Sequence, residues 1–292
     1  MSKTALKIAG IVLKPNSPHM KGDFLAIKKM FEDNGISVIL EKNSADMIGE
    51  SGFELDELSS NCDFLVSLGG DGTLISLVRR SFKYHLPILG VHLGTLGFLT
   101  DITVDELSGF MSELRDNNFS IDQRMMISSN IKEIAVVAFN DIVITRKDLT
   151  GMVSIEAKIN GKVFNNYYGD GLIISTPTGS TGYNLSCGGP VVYPLTDAFI
   201  VTPISAHSLT QRPLVLPVDF EIELCIKESK GAVAIIDGQD IYELDHNESF
   251  KIKIAQNKAK LIHSLRRSYF DVLSKKLKWG EERKEMTTAC HF

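Results

Sequence analysis

The chain opens with short apolar runs, separated by segments whose apolar residues recur every three or four positions. Residues 7–13 read as a buried strand. Residues 23–34 read as a helix, with Phe24, Ile27, Met30 and Phe31 on one face and Gly35 as its stop. Residues 37–40 and 63–68 read as further strands. Residues 73–84 place Leu74, Leu77, Val78 and Phe82 at helical spacing and end before Pro87, and 88–92 is a fourth strand. Thr103 then opens a helix, with Glu106 three positions on as a capping box and Leu107, Phe110, Met111 and Leu114 as the apolar face. Strands alternating with helices predict a parallel sheet covered by helices.

The period changes after about Ser120. Residues 153–159 alternate apolar with polar, Asn160-Gly161 follows, and residues 162–164 resume the strand, which predicts a hairpin with a two-residue turn. Phe220, Ile222, Leu224 and Ile226 alternate with Glu221, Glu223, Cys225 and Lys227. Phe250, Ile252 and Ile254 alternate with lysines. This part predicts antiparallel, sandwich-like sheet with one face of each strand buried. Ser268 then caps a helical run holding Phe270, Leu273, Leu277 and Trp279, expected to pack back on the first domain. The last dozen residues are charged or small and are expected to be loose. The division that follows is an α/β nucleotide-binding domain over 1–120, a β-rich domain over 121–265, and a C-terminal helix and tail over 266–292.

Composition narrows the chemistry. Two domains suit 292 residues. With 31 basic against 36 acidic residues, the net charge of −5 argues against a broad basic footprint for nucleic acid or anionic membrane. It leaves room for a local anion site. Cys62, Cys187, Cys225 and Cys290 form no C-x-x-C pair and read as reduced thiols, which predicts a cytoplasmic protein. The histidines are scattered, so no structural zinc site is expected, and no residue is assigned as a metal ligand. Residues 8–13 are too short an apolar stretch for a signal peptide. Between Gly171 and Gln211 the only formal charge is Asp197. About nine would be expected at ordinary charge density. So many Gly, Ser, Thr and Pro exclude a membrane helix, and the segment is either interior or the wall of a site.

Four motifs carry the candidate chemistry. The strand 63–68 runs into Gly69-Gly70-Asp71-Gly72-Thr73 and a helix. In an open α/β sheet this is where ligands bind, at a strand's carboxyl end beside a helix N-terminus. The glycines let backbone N–H groups approach a phosphate, yet the loop is neither a Walker loop nor a Rossmann fingerprint. A carboxylate among them has three uses: taking a proton from an attacking hydroxyl, orienting that hydroxyl, or holding Mg²⁺ through water. The alternative is a tight turn. Phe139-Asn140-Asp141 interrupts an apolar strand pattern, either as a turn or bulge or as a pair aimed at ribose hydroxyls. Gly169-Asp170-Gly171 leads into a run dense in hydroxyls and glycines, from Thr176 through Thr178, Thr181, Gly182 and Tyr183 to Ser186 and Gly188-Gly189-Pro190. It is either a connection in a β domain or a ligand wall with a tyrosine platform. Asp237-Gly238 reads as a plain hairpin turn.

These motifs in this order resemble the NAD kinases, from about Ile8 to Trp279. The stretch from Val91 to Thr100 and the tail around Tyr269-Phe270 and Leu277-Lys278-Trp279 share the likeness. The resemblance implies an α/β domain and a β-rich domain with the active site in the cleft between them. It implies transfer of the γ-phosphoryl group of ATP to the adenosine 2′-hydroxyl of NAD with a divalent metal, Mg²⁺, in a dimer or tetramer. Carried over by motif, Asp71 deprotonates or orients the hydroxyl. Gly69, Gly70, Gly72 and Thr73 line the phosphates, and Phe98 lies near the adenine. Asn140 and Asp141 bind the ribose. Asp170, Thr178, Thr181, Gly182, Tyr183, Ser186 and Asp237 complete the nucleotide site. Two positions depart from the family's pattern: Asp141 stands where Glu is usual, and Gly182 where Ala is usual. A lipid kinase of the diacylglycerol type shares the GGDGT loop and is the second reading; a non-catalytic NADP sensor is the third.

Overall fold

The computed structural model describes residues 6–94, 97–100, 102–148, 151–228 and 231–279. Thr95 and Leu96 of the 91–100 stretch, the tail from residue 280 and Cys290 lie outside the described residues. The first sheet runs Ser37–Leu40, Ile8–Leu13, Phe64–Gly69, Pro87–His92, Ala259–Ser264, Phe119–Arg124, with Ile102–Thr103 beside Pro87–His92. All neighbours are parallel except the last pair, Ala259–Ser264 with Phe119–Arg124. The chain therefore returns to the first sheet at Ala259, ahead of the boundary drawn at 265. Phe119–Arg124 likewise crosses the boundary drawn at 120.

Helices cover both faces, as a parallel sheet requires. Lys21–Asp33 and Val104–Arg115 bury Phe24, Phe31, Phe110 and Met111 against Ala9, Ile11, Val66 and Leu89 on one face. The Glu106 carboxylate accepts from the Thr103 amide and hydroxyl, closing the expected capping box. On the other face Asp71–Ser81 lays Leu74, Leu77 and Val78 against Val12, Leu65 and Ile88. Phe139 and Met126 from beyond the first domain join this cluster, so the second domain is welded to the helix that follows the glycine loop. Two helices, Lys42–Ile48 and Leu55–Ser60, escaped the periodicity reading. Each is under two turns, too short to display a face.

The rest of the chain forms two six-stranded antiparallel sheets. One runs Lys162–Gly169, Val153–Ile159, Ile222–Glu228, Ser249–Ile254, Ile127–Ile131, Ile134–Ala138. The other runs Leu214–Pro217, Ala198–Ile204, Gly171–Ser175, Asp141–Arg146, Ala232–Ile236, Asp240–Leu244. Ile155, Leu224 and Ile252 of the first meet Ile142, Ile144, Leu172, Ile174 and Phe199 of the second in a single core, the packing of a sandwich. The 153–169 hairpin turns at Asn160 and Gly161 with φ of 49° and 80°, the backbone its Asn-Gly pair favours. The pattern over 136–145 is two strands, not one. Ile134–Ala138 lies in one sheet and Asp141–Arg146 in the other, and the chain changes sheet at Phe139 and Asn140. The final helix Tyr269–Leu277 is capped by Ser268 and Asp271. It rests Lys276 over the Phe98 ring of the first domain and packs Tyr269 and Phe270 against Tyr193 of the second.

Candidate active site

The glycine loop lies where the strand Phe64–Gly69 hands over to the helix Asp71–Ser81. Gly70 is the N-cap and offers no capping side chain; the Thr73 amide donates to the Gly70 carbonyl at 3.0 Å, and the amides of Asp71 and Gly72 before it remain available to an anion. A Cβ on Gly69 would stand 2.4 Å from the Thr73 hydroxyl, so Thr73 packs down on the loop only because residue 69 is glycine. A Cβ on Gly70 would stand 3.3 Å from Nε2 of His92, which closes the other side of the loop. The Gly94 amide donates to His92 Nδ1 at 2.8 Å, so the neutral ring carries its proton on Nε2, the nitrogen that faces the loop.

Asp71 is held by four donors, three on Oδ1 and one on Oδ2, which leaves Oδ2 able to accept another. Its carboxylate accepts from the amides of Phe98 (2.8 Å), Leu99 (3.2 Å) and Thr100 (3.0 Å) and from the Thr100 hydroxyl (2.9 Å). The loop can wrap this closely because residue 97 is glycine, where a Cβ would stand 2.0 Å from Asp71 Oδ1. Phe98 is thereby fixed beside Asp71 through its backbone.

Asn140 and Asp141 sit at the sheet-changing corner, and the hydroxyl-rich segment is tied directly to it. The Asn140 carbonyl accepts from the Thr176 amide (2.8 Å) and the Ser175 hydroxyl (3.2 Å), and the Phe139 carbonyl accepts from the Thr176 hydroxyl (2.7 Å). Gly179 is another enforced glycine, where a Cβ would meet the Asn140 carbonyl at 2.3 Å. Two buried acceptors, Asn140 Oδ1 and Thr178 Oγ1, have no hydrogen-bond partner. The Asp141 side chain is buried, and its carboxyl is pushed up to about 7, first by desolvation and then by the nearby Asp237 charge. An unpartnered amide oxygen and hydroxyl beside a buried acid leave this corner with hydrogen-bonding capacity to spare.

The remaining predicted residues fall into three groups. Tyr183 is half exposed. Its hydroxyl is raised above the usual value, first by burial, then by the Cys187 thiol it pairs with and by the charges of Asp170 and Asp141. Asp170 lies opposite Arg146, 3.1 Å from its Nε. Thr181 turns its hydroxyl back toward the Thr178 carbonyl at 3.5 Å, Gly182 brings its backbone beside Asn140, and Ser186 is exposed at the end of the short helix Tyr183–Ser186. Asp237 is different. It does form the expected hairpin turn, with φ of 50° and 67° at Asp237 and Gly238. But its side chain is fully buried, and its oxygens accept from the amides of Phe139 (2.8 Å), Asn140 (2.7 Å) and Asp141 (2.9 Å). It stands behind the corner and supports it.

Five residues near the site were not singled out from sequence. Thr100 holds Asp71. His92 borders the loop. Asn184, fully buried, joins the carbonyls of Ser180 and Pro190 to the Thr202 hydroxyl and shapes the hydroxyl-rich wall. Arg79 and Gln239 cross between the domains. His92 and Thr100 lie in the 91–100 stretch and Asn184 in the charge-free run, where their contacts leave no mark in the pattern; Arg79 and Gln239 carry no motif signal at all. That run proves to be both interior and wall: Gly171–Ser175 and nearly all of Ala198–Ile204 are buried, and residues 178–186 line the corner.

Residues 10–118 match the family of the ATP-NAD kinase N-terminal domain, and residues 139–264 match that of the ATP-NAD kinase C-terminal domain. The NAD kinase of Sulfurimonas denitrificans is 49% identical over 285 residues, covering 96% of this chain and all of that protein. That of Wolinella succinogenes is 46% identical over 282 residues, covering 95% of this chain and 97% of that protein. Among solved structures, an NAD kinase from Archaeoglobus fulgidus in complex with ATP superposes with a TM-score of 0.77 at 25% identity, covering 93% of this chain and 98% of that one. Yeast NADH kinase complexed with NADH superposes with a TM-score of 0.87 at 24% identity, covering 96% of this chain and 90% of that one, a likeness of fold. Near-complete coverage at close to half identity, with both domains matched in order, places this chain in the ATP-NAD kinase family.

Proposed function

We propose that this chain phosphorylates the adenosine 2′-hydroxyl of NAD with ATP and releases NADP and ADP. The observation that carries the reading is the pairing of two half-sites: a glycine loop and carboxylate at a helix N-terminus, and a buried acid–amide corner with unmet hydrogen-bonding capacity. The names of the relatives support the same reading and lend none to the lipid-kinase or sensor alternatives.

In this reading the 2′-oxygen attacks the γ-phosphorus, the bond from that phosphorus to the bridging oxygen of the β-phosphate breaks, and the hydroxyl proton passes toward Asp71. Asp71 is the base or orienting group. Gly69, Gly70 and Gly72 meet the phosphates through backbone N–H groups, and Thr73 packs beneath them. Asn140 and Asp141 take the adenosine ribose hydroxyls. Asp170, Thr178, Thr181, Tyr183 and Ser186 hold the adenine and nicotinamide ends. Magnesium fits as a companion of the ATP phosphates, since Mg²⁺ binds mainly through phosphate and water with one or two carboxylates. No group of three His, Cys, Asp or Glu arranged to hold a metal occurs among the described residues.

A homo-oligomer fits the surface. Val163 and Tyr168 on one edge strand, Leu214 and Val215 on another, and Leu209 between them are exposed apolar side chains beside open strand edges, which suit a second copy of the chain. A cytoplasmic setting fits the free thiols of Cys62, Cys187 and Cys225. No helix among the described residues is long and apolar enough to cross a membrane. The test is to supply Mg-ATP with either NAD or diacylglycerol. NADP is expected to accumulate with NAD, and phosphorylated diacylglycerol without NADP would replace this reading with the lipid-kinase one.

A further inference from the structure

We infer that Arg79 and Gln239 are positioning residues that set the separation between the glycine loop and the Asn140–Asp141 corner, acting through Asp237. The inference rests on the proposed phosphoryl transfer, which needs both halves at once.

Arg79 lies two turns after Asp71 on the same helix and points out of the first domain. Its Nε donates to the Val137 carbonyl at 3.2 Å and lies 3.4 Å from Asp237 Oδ2. One terminal nitrogen reaches the Ile236 carbonyl (3.5 Å) and Gln239 Oε1 (3.2 Å), and the other pairs with Asp240. The Arg79 side chain is 11% exposed. An exposed ion pair would contribute little. A planar guanidinium enclosed by five acceptors fixes direction as well as distance.

Asp237 passes that constraint on, because the same carboxylate collects the three amides of residues 139–141. Burial pushes its carboxyl up, and the three amides and Arg79 pull it back. Gln239 makes the second link. Its amide oxygen accepts from Arg79 while its NH₂ donates to the Gly72 carbonyl at 3.1 Å, so the side chain touches the glycine loop itself. The left-handed φ values at Asp237 and Gly238 let one tight turn send residue 237 inward and residue 239 across the cleft. A three-residue hairpin tip thus holds the acceptor corner at one end and the phosphate loop at the other.

Domains joined in one chain move against each other unless something at the interface prevents it. An error of about 1 Å between reacting groups costs on the order of 100-fold in rate. Breaking the link is therefore expected to reduce turnover while each half keeps its own ligand.

The experiment measures kcat, the separate dissociation constants for NAD and ATP, and the melting temperature for Arg79→Met, Arg79→Lys, Gln239→Leu and the Arg79→Met/Gln239→Leu double variant. Arg79→Met is expected to lower kcat by about 10- to 100-fold with both dissociation constants within about 3-fold of wild type. Arg79→Lys is expected to recover part of that loss, since an ammonium reaches Asp237 or Asp240 but not the carbonyls as well. Gln239 is exposed, so Gln239→Leu is expected to fold normally and still lower kcat by about 3- to 10-fold. The double variant is expected to lose less than the product of the single losses, because both act on one link. Wild-type kcat in both Arg79→Met and Gln239→Leu, or a lowered melting temperature with kcat unchanged, overturns the inference. Should Arg79→Met fail to fold, Gln239→Leu alone decides it. A wild-type chain that makes no NADP overturns the functional reading, and this inference with it.

Discussion

Asp71 and Asp141 belong to different domains, and their surroundings differ in kind. Asp71 receives four hydrogen bonds from residues 98–100 before any ligand arrives. Asp141 is buried with only desolvation and a neighbouring carboxylate acting on it, and its carboxyl rises to about 7. The first acid is held in place by its own loop. The second waits for donors that only a ligand brings. A ribose supplies two hydroxyls, and accepting from them offsets the cost of burying the charge. Under the proposed function the contrast divides the labour: Asp71 would be fixed for chemistry, and Asp141 would gain from binding.

The sharpest way to break this division is to neutralise the first acid. Asp71→Asn keeps the shape of the side chain and can still accept from part of the loop, but cannot take a proton. Turnover is expected to fall by about 100- to 10,000-fold, with NAD affinity changed only a few-fold, as measured by initial rates and equilibrium titration. Near-normal turnover would remove Asp71 from the chemistry.

The second acid is tested by pH in the absence of nucleotide. Its folded pKa near 7 lies above the ordinary carboxylate value near 4, so the folded state holds the proton more tightly. Stability from this group is complete below about pH 4, declines as pH rises, and is lost above about pH 7. The shift corresponds to an upper bound of about 4 kcal/mol. Asp141→Asn is expected to remove that decline, so the variant melts about 5 °C or more above wild type at pH 8 and close to it at pH 4. Parallel melting curves across that range would show that Asp141 carries no such cost.

How far the sequence foretold these surroundings follows from the same contrast. Whatever depends on local pattern was readable: the parallel strands, the capping box at Thr103, the Asn160-Gly161 turn, the strand-to-helix setting of Asp71. What depends on partners distant in sequence was not. Asp237 read as a turn, and it is one, but its grip on residues 139–141 spans nearly a hundred positions. Arg79 meets Gln239 across 160 positions. The strand Ala259–Ser264 follows an antiparallel strand with no helix between them, and only the partners available to it place it in the first sheet. The motifs pointed to the two candidate half-sites, and the contacts between the glycine-loop helix and the 139–141 corner carry no local signature.

Tyr183 probes the binding side more gently. Its ring is half exposed, and its backbone begins the short helix Tyr183–Ser186. Tyr183→Ala is expected to raise KM for NAD by about 10-fold, the loss of roughly 1–2 kcal/mol of stacking and buried area, with kcat within about 3-fold. A fall confined to kcat would move Tyr183 to the side of Asp71.

Gly182 gives the smallest effect and the finest reading of the corner. An added Cβ would lie 3.2 Å from the Gly179 carbonyl and 3.5 Å from Asn140 Nδ2. The first distance asks the neighbour to give by a few tenths of an ångström; the second is ordinary contact. The backbone there has φ of −91°, outside the left-handed region that favours glycine. Gly182→Ala is expected to leave the melting temperature within about 2 °C and KM for NAD within about 3-fold. The direction is informative. A methyl against Asn140 narrows the freedom of the amide proposed to meet the ribose, so KM should fall if the corner gains by being held still. If KM rises instead, the open space beside Gly182 is needed by the ligand, and Asn140 must turn to receive it.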